Sequence, residues 1–360
     1  MKKVRLSESS QTDMAIDIFK AFDRRAFIQS MVAIGGLATF GANWPASAQE
    51  ARKIIIDADP GQDDAIAILV ALASPELSVL GITCVAGNAP LALTQKNARM
   101  VCELAGRPDI LVFAGADRPL KRPLVTAGHL HGHTGLDGYT LPDPTMPLQS
   151  QPAVEFIIET LRREPVGTVT IAALGPLTNI ATALQRAPDI AGRIEEIVMM
   201  GGAYFEVGNI TPTAEFNVYV DPDAAQVVFA SGIKLTVVPL DVTHQVLATA
   251  ARAQAMRNLP GKVGIVAASW VDFFERFDKE KYGADGAPIH DPCVIGYLLR
   301  PDLFSGRLVN VEIETVSELT VGMTVTDWWR VTRRVPNATF LRYVNAQGLF
   351  DLIIERLGRL

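Results

Sequence analysis

The chain has 360 residues, 49% of them hydrophobic and 20% charged, which is the balance of an ordinary globular protein with a sizeable core. Its formal net charge of −6 comes without any basic run or interleaving of aromatic and basic residues. That argues against nucleic acid, whose phosphate backbone needs a positive surface, and no segment reads as a membrane span.

The first residues read as a leader rather than as part of the fold. Asp23-Arg24-Arg25-Ala26-Phe27-Ile28-Gln29 is similar to the twin-arginine export motif of bacteria. A moderately apolar stretch, 31–40, follows it, and Ala46-Ser47-Ala48 has the small-x-small form of a cleavage site. The competing reading is an amphipathic helix with a chance arginine pair. The expected organisation is a twin-arginine signal peptide over residues 1–48 and one catalytic domain over 49–360. Such a protein would be delivered folded to the periplasm and have no membrane contact after cleavage.

Beyond the leader, an apolar run at 53–57 predicts a buried strand, and the apolar period over 65–73 predicts a helix. Between them stands Asp57-Ala58-Asp59-Pro60-Gly61-Gln62-Asp63-Asp64, four carboxylates in eight residues, with Pro60-Gly61 supplying a sharp turn. Four like charges this close repel one another unless a cation sits among them. An all-oxygen cluster favours a hard divalent ion such as calcium or magnesium. The plainer alternative is a helix-capping cluster on a solvated turn.

The alternation continues. Strands are predicted at 77–85, 110–114, 168–173, 194–200 and 235–239, and helices at 91–105, 153–163, 177–186 and 224–230. Apolar runs that do not alternate mean that both sheet faces are covered, as in a parallel sheet flanked by helices. The expectation is an α/β fold with an open, mainly parallel, Rossmann-like sheet. Helices are expected over 241–289, and a small additional β region near the C-terminus at 309–316, 320–326 and 339–344. Asp57, Asp59, Asn88, Leu174 and Gly201-Gly202 follow strands at their carboxyl ends, the edge where open parallel sheets bind ligands. Cys84, Cys102 and Cys293 show no metal spacing and read as buried thiols.

This acidic cluster resembles the D-x-D-P-G-x-D-D-A signature of the inosine–uridine-preferring nucleoside hydrolases, intact here from Asp57 to Ala65. The resemblance runs on through Val85-Ala86-Gly87-Asn88, Ala127-Gly128-His129-Leu130-His131-Gly132 and Leu174-Gly175-Pro176-Leu177-Thr178-Asn179. It continues in Met200-Gly201-Gly202, Ala214-Glu215-Phe216-Asn217 and His290-Asp291-Pro292, spanning about residues 53 to 355.

The resemblance implies the nucleoside hydrolase fold and a calcium-dependent cleavage of ribonucleosides to ribose and free base. By the same resemblance, Asp59, Asp64, Asp291 and the Leu174 carbonyl hold calcium. Asp59 then serves as general base, and His290 as acid or hydrogen-bond donor to the departing base. Asp63, Asn88, Asn209, Glu215, Phe216 and Asn217 bind ribose. His131, in a loop that closes over the substrate, is a base contact, and Tyr282 belongs to a segment near the nucleobase. Family members are typically dimers or tetramers, so a homo-oligomer is expected. Residue types alone leave alternatives open: Asp291 as a helix N-cap, Asn88 and Glu215 as turn residues, Asn209 as a loop residue. Two rival functions are a haloacid-dehalogenase-like phosphatase, which also starts from Asp-x-Asp after a first strand, and a non-catalytic exported nucleoside- or pentose-binding protein.

Overall fold

The computed structural model describes residues 50–282 and 285–360, without the side chains of 278–282. The leader motifs at Arg24-Arg25 and Ala46-Ser47-Ala48 lie outside these residues. Twelve strands are described: β1 (Arg52–Ala58), β2 (Leu77–Cys84), β3 (Val112–Ala114), β4 (Val169–Ala173), β5 (Ile194–Met200), β6 (Leu235–Val238), β7 (Leu247–Thr249), β8 (Gly286–Pro288), β9 (Phe304–Val309), β10 (Val311–Ile313), β11 (Thr324–Thr326) and β12 (Ala338–Val344). Eight of them form one sheet in the order β3-β2-β1-β4-β5-β6-β12-β9. Every neighbouring pair in it is parallel except β12 with β9.

The strand order places the site. The chain runs outward from β1 to β3, then returns to the other side of β1 and continues with β4, β5 and β6. Connections on the two sides of β1 and β4 diverge, leaving a crevice at the carboxyl ends of these two strands. Asp57 and Asp59 leave β1 there, and Leu174 follows β4.

Side-chain alternation along β1 divides the core. Ile54 and Ile56 join one apolar cluster, with Leu69, Trp270, Val294 and Phe350, while Ile55 joins another, with Ile157, Ile180 and Val228. Helices therefore cover both faces, and the strands read as continuous apolar runs because neither face meets water. The helix Gln62–Leu72 lies so deep that all eleven of its residues are buried. A helix that is apolar nearly all round belongs in the interior, and this one carries Asp63 and Asp64 inside with it. Among the described residues no helix is long and apolar enough to cross a membrane.

Several expectations need correcting. Within 241–289 the helices Leu240–Thr243, Ala250–Arg257 and Val263–Tyr282 are joined by a short antiparallel pair, β7 with β8. Three-residue strands are too short to show a period. The expected strand at 309–316 is two segments: β9 ends at Val309 in the main sheet, and β10 pairs instead with β11. Only Thr324–Thr326 of the 320–326 run is strand, and Thr339–Val344 joins the main sheet beside β6 rather than a separate unit. The runs expected as helices omit Gly128–His131, Phe216–Val220 and Ala346–Leu357. The cysteines are free and buried, and burial pushes all three thiols above their ordinary range, leaving them inert.

Candidate active site

Asp59 sits just past the end of β1, where two glycines make room for its carboxylate. A Cβ at Gly87 would overlap its Oδ2, and a Cβ at Gly175 would overlap its Oδ1. The glycines in the Val85–Asn88 and Leu174–Asn179 motifs are thus explained by space rather than by turn conformation. The backbone N–H of Asn88 donates to Asp59 Oδ2 at 2.6 Å, while Oδ1 is buried without a hydrogen-bond partner. Gly87→Ala is expected to displace this carboxylate and lower activity by about 10²-fold or more, as misplacement of a reacting group by about 1 Å does. Far-UV circular dichroism should stay unchanged while kcat falls; unaltered kcat would show that the Asp59 pocket has slack.

Asp64 is positioned by the turn ahead of its helix. Its Oδ2 accepts from Gly61 N at 3.0 Å and from Asn88 Nδ2 at 3.1 Å, and its Oδ1 from Asp59 N at 3.2 Å. Asp64 therefore does cap its helix, but on a buried rather than a solvated turn. Asp291, ahead of the helix Pro292–Leu299, makes no capping bond and turns toward Asp64. Carboxylate oxygens of Asp63, Asp64 and Asp291 lie within 4.8 Å of one another. Asp63 thus stands with the cation-binding acids as closely as with the ribose-binding group to which the resemblance assigns it. Burial first, then the neighbouring charge of Asp63, raises Asp64 to about 7. Burial, followed by the charges of the other acids, holds Asp59 and Asp291 well above the ordinary carboxylate range.

Asp57 points elsewhere. Its Oδ1 accepts from Thr83 Oγ1 at 2.5 Å and from Asn179 Nδ2 at 2.8 Å, and burial raises the group to about 7. Asn179 also donates to Cys84 O and accepts from Ala116 N, so it ties together the strand ends that bound the crevice.

Asp63 and Asp291 open into a cavity at the carboxyl edge of the sheet, with Asp64 close beside them. Asp63, Asn88, Leu174, Asn209, Glu215, Phe216, Asn217, His131, His290 and Asp291 all line it. Glu215 N-caps the helix Phe216–Val220, accepting from Asn217 N at 2.9 Å and Val218 N at 3.2 Å, and from Gly202 N at 3.0 Å. Burial raises it to about 7 despite these three donors. Asn209 Oδ1 accepts from Phe216 N at 2.9 Å, and Asn217 Nδ2 donates to the Leu174 carbonyl at 2.7 Å. Asn217 Oδ1 and Asn209 Nδ2 are left available for a polyhydroxylated ligand.

His131 is buried, and its Nδ1 is hydrogen-bonded to Gln62 Oε1. The Gln62 amide in turn donates to the carbonyls of His131 at 3.1 Å and Asp137 at 2.9 Å. Burial lowers the imidazole to about 4, so it is neutral at neutral pH. His290 is held through Nδ1 by Thr243 Oγ1 at 2.8 Å, and burial lowers it to about 3, with the His244 charge adding to the effect. Gln62, Thr243, Asn97 and His244 carried no signal in the sequence. Asn97, for instance, holds the Pro60 and Thr134 carbonyls together, 37 positions away from each. Tyr282 ends the helix Val263–Tyr282, and its side chain lies outside the described residues.

The donor set fits a hard cation. It is made of oxygens, and among the described residues no lysine or arginine lines the cavity to offset their charge. The same lack counts against the phosphatase reading, which needs a lysine beside the phosphoryl group.

The chain is similar to several known proteins. The sequence model for the inosine-uridine preferring nucleoside hydrolases matches residues 54–351. A pyrimidine-specific ribonucleoside hydrolase, RihA, of Salmonella paratyphi B is 47% identical over 308 residues, covering 85% of this chain and 98% of the relative. An uncharacterized protein of Schizosaccharomyces pombe is 54% identical over 308 residues, 86% of this chain and 99% of its own. Among solved structures, a plant nucleoside hydrolase, PpNRh1, superposes with a TM-score of 0.80 at 32% identity over 85% of this chain and 99% of its own. The purine-preferring ribonucleoside hydrolase of Gardnerella vaginalis does so with a TM-score of 0.80 at 31% identity, covering 85% and 98%.

Proposed function

The chain belongs to the inosine-uridine preferring nucleoside hydrolase family, and from that premise we propose that it cleaves the N-glycosidic bond of ribonucleosides to ribose and free base with calcium as cofactor. The observation that carries this reading is the juxtaposition, in one cavity, of Asp63 and Asp291, with Asp64 close beside them, and of the amides and Glu215 that suit a sugar. Asp59, Asp64, Asp291 and the Leu174 carbonyl would hold the ion. When bound, such an ion supplies Lewis acidity, offsetting the clustered charge and acidifying water beside it.

The chain's own residues do the rest. Asp59 takes the proton of the attacking water on Oδ1, the oxygen without a partner. Asp63, Asn88, Asn209, Glu215, Phe216 and Asn217 hold the ribose. As the C1′–N bond breaks, the ring gains positive charge, which the acidic wall stabilises. His131 contacts the nucleobase, and His290 serves as acid or hydrogen-bond donor to it as it departs. The relatives include one named pyrimidine-specific and one named purine-preferring, so base preference is left to the residues around the base. The test is a panel of uridine, cytidine, inosine and adenosine assayed for free ribose with and without a chelator. Ribose release that stops on chelation and returns with calcium is expected; release from none of the four would refute the reading.

We propose that the protein works in the periplasm after twin-arginine export. Replacing Arg24 and Arg25 by lysine keeps the charge but removes the pair that the export receptor reads. Fractionation of the native bacterium should then find the precursor inside. Normal periplasmic arrival of the Lys-Lys protein would refute this route.

A further inference from the structure

Gln62 opens the buried helix Gln62–Leu72, between the glycine of the acidic turn and Asp63, and is itself fully buried. An amide in the interior must spend its polar atoms on protein partners. Its Nε2 donates to the carbonyls of His131 at 3.1 Å and Asp137 at 2.9 Å. Carbonyl oxygens accept and never donate, so the nitrogen end of the amide is the end that stands there. Oε1 is then the end that meets His131 Nδ1. An amide oxygen only accepts, so the hydrogen of that bond belongs to Nδ1. A neutral imidazole carries a single N–H, and burial keeps this ring neutral at neutral pH. Nε2 is therefore bare, its lone pair unspent.

The ring has little freedom to escape this arrangement. A Cβ at Gly61 would lie 2.5 Å from His131 Nδ1 and 2.7 Å from Cε1, so this edge of the imidazole packs against the acidic turn. The backbone behind it is tied as well. Asp137 N donates to the His131 carbonyl at 3.2 Å, which closes residues 131–137 on themselves. The Asp137 carboxylate accepts from His133 N at 3.0 Å and Thr134 N at 3.2 Å. Asn97 adds a second amide clamp, donating to the Pro60 and Thr134 carbonyls, both at 3.0 Å. Two side-chain amides thus hold this loop to the acidic turn, but only Gln62 also touches the imidazole. Among the described residues His131 Nε2 has no hydrogen-bond partner, and the ring lines the cavity.

We propose that Gln62 is a positioning residue that fixes His131 in its Nδ1–H tautomer, so that Nε2 presents an acceptor to an N–H group of the nucleobase. This rests on the hydrolase reading of the cavity, with His131 at the base. The consequence is a specificity device: a base that offers an N–H to Nε2 gains a hydrogen bond, and one that offers only acceptors there meets a lone pair.

The chain has five histidines, so nitrogen-15 labelling of histidine gives a spectrum simple enough to read. His131→Gln identifies the ring by the signals that vanish. At neutral pH wild type should show His131 Nδ1 in the N–H range and Nε2 in the bare range. Gln62→Met, of similar length but without the amide, should let Nε2 take up the hydrogen. Kinetics reads the consequence. Uracil in uridine and hypoxanthine in inosine each carry one N–H, which 3-methyluridine and 1-methylinosine lack. On whichever parent the protein cleaves faster, Gln62→Met should lower kcat/KM by about three- to tenfold, the worth of one hydrogen bond between neutral groups. On the methylated counterpart the loss should stay below about twofold. Hydrogen on Nε2 in wild type, an unchanged tautomer in Gln62→Met, or equal losses on parent and methylated substrate, as a merely structural role would give, would overturn the proposal. Wild-type protein that shows the expected tautomer but cleaves no nucleoside would instead refute the hydrolase reading.

Discussion

Asp59→Asn is expected to lower kcat by about 10²–10⁴-fold on every nucleoside and, to the same extent, on p-nitrophenyl riboside. Activating the water is common to all these substrates, whereas leaving-group assistance is not, so the loss should not depend on the base. The substitution is nearly isosteric in a pocket walled by Gly87 and Gly175 and keeps the Oδ acceptor for Asn88 N. It should therefore leave the fold intact. Because the change also removes a negative charge from the cation site, calcium occupancy must be measured beside kcat. A loss on nucleosides that disappears on the activated riboside would remove Asp59 from the role of base.

The second large effect is expected at the acid cluster itself. Asp291→Ala and Asp64→Ala should each weaken calcium binding to metal-stripped protein by orders of magnitude, as read by calorimetric titration. The two should differ in metal-free stability. Asp64 also caps its helix, accepting from Gly61 N, so its loss should cost about 1 kcal/mol. Asp291 makes no capping bond, and its removal relieves like-charge crowding, so metal-free Asp291→Ala should melt no lower than wild type. Calcium should raise the melting temperature of wild type and of neither variant. Unchanged calcium affinity in both variants would end the assignment.

A pH dependence follows with a definite sign. Asp57, Asp64 and Glu215 are each raised to about 7 in the folded protein, against about 4 in an unfolded chain. The folded state therefore holds extra protons between these values, and the stability they contribute is lost as pH rises through about 7. Chelated protein should unfold at lower denaturant at pH 8 than at pH 5.5, and saturating calcium should shrink the difference by holding Asp64 ionised.

The alternation of apolar runs was enough to place the parallel sheet and to gather the motifs at its carboxyl edge, because a strand covered on both faces has no freedom to be polar. Local chemistry was likewise legible where it was dense: Asp59, Pro60-Gly61 and Asp63-Asp64 announce a turn and a charge problem within a few residues. The helix Phe216–Val220 is hidden in the sequence because five residues show no period; its cap, Glu215, also lines the cavity, as a sugar-binding residue would.

What the sequence determined by itself, then, is whatever depends on neighbours along the chain: the elements, the acidic turn, and the family signature in its order. Tertiary structure alone decided how those residues are held. Gln62 meets His131 across 69 positions, Thr243 meets His290 across 47, and Asn179 meets Asp57 across 122. Gly87 and Gly175 serve Asp59 only because three separate strands end at one place. The physical reason is that a lone polar residue looks the same in a sequence whether it faces water or a buried partner. Only packing removes the water and forces buried polar groups to find their hydrogen bonds in one another.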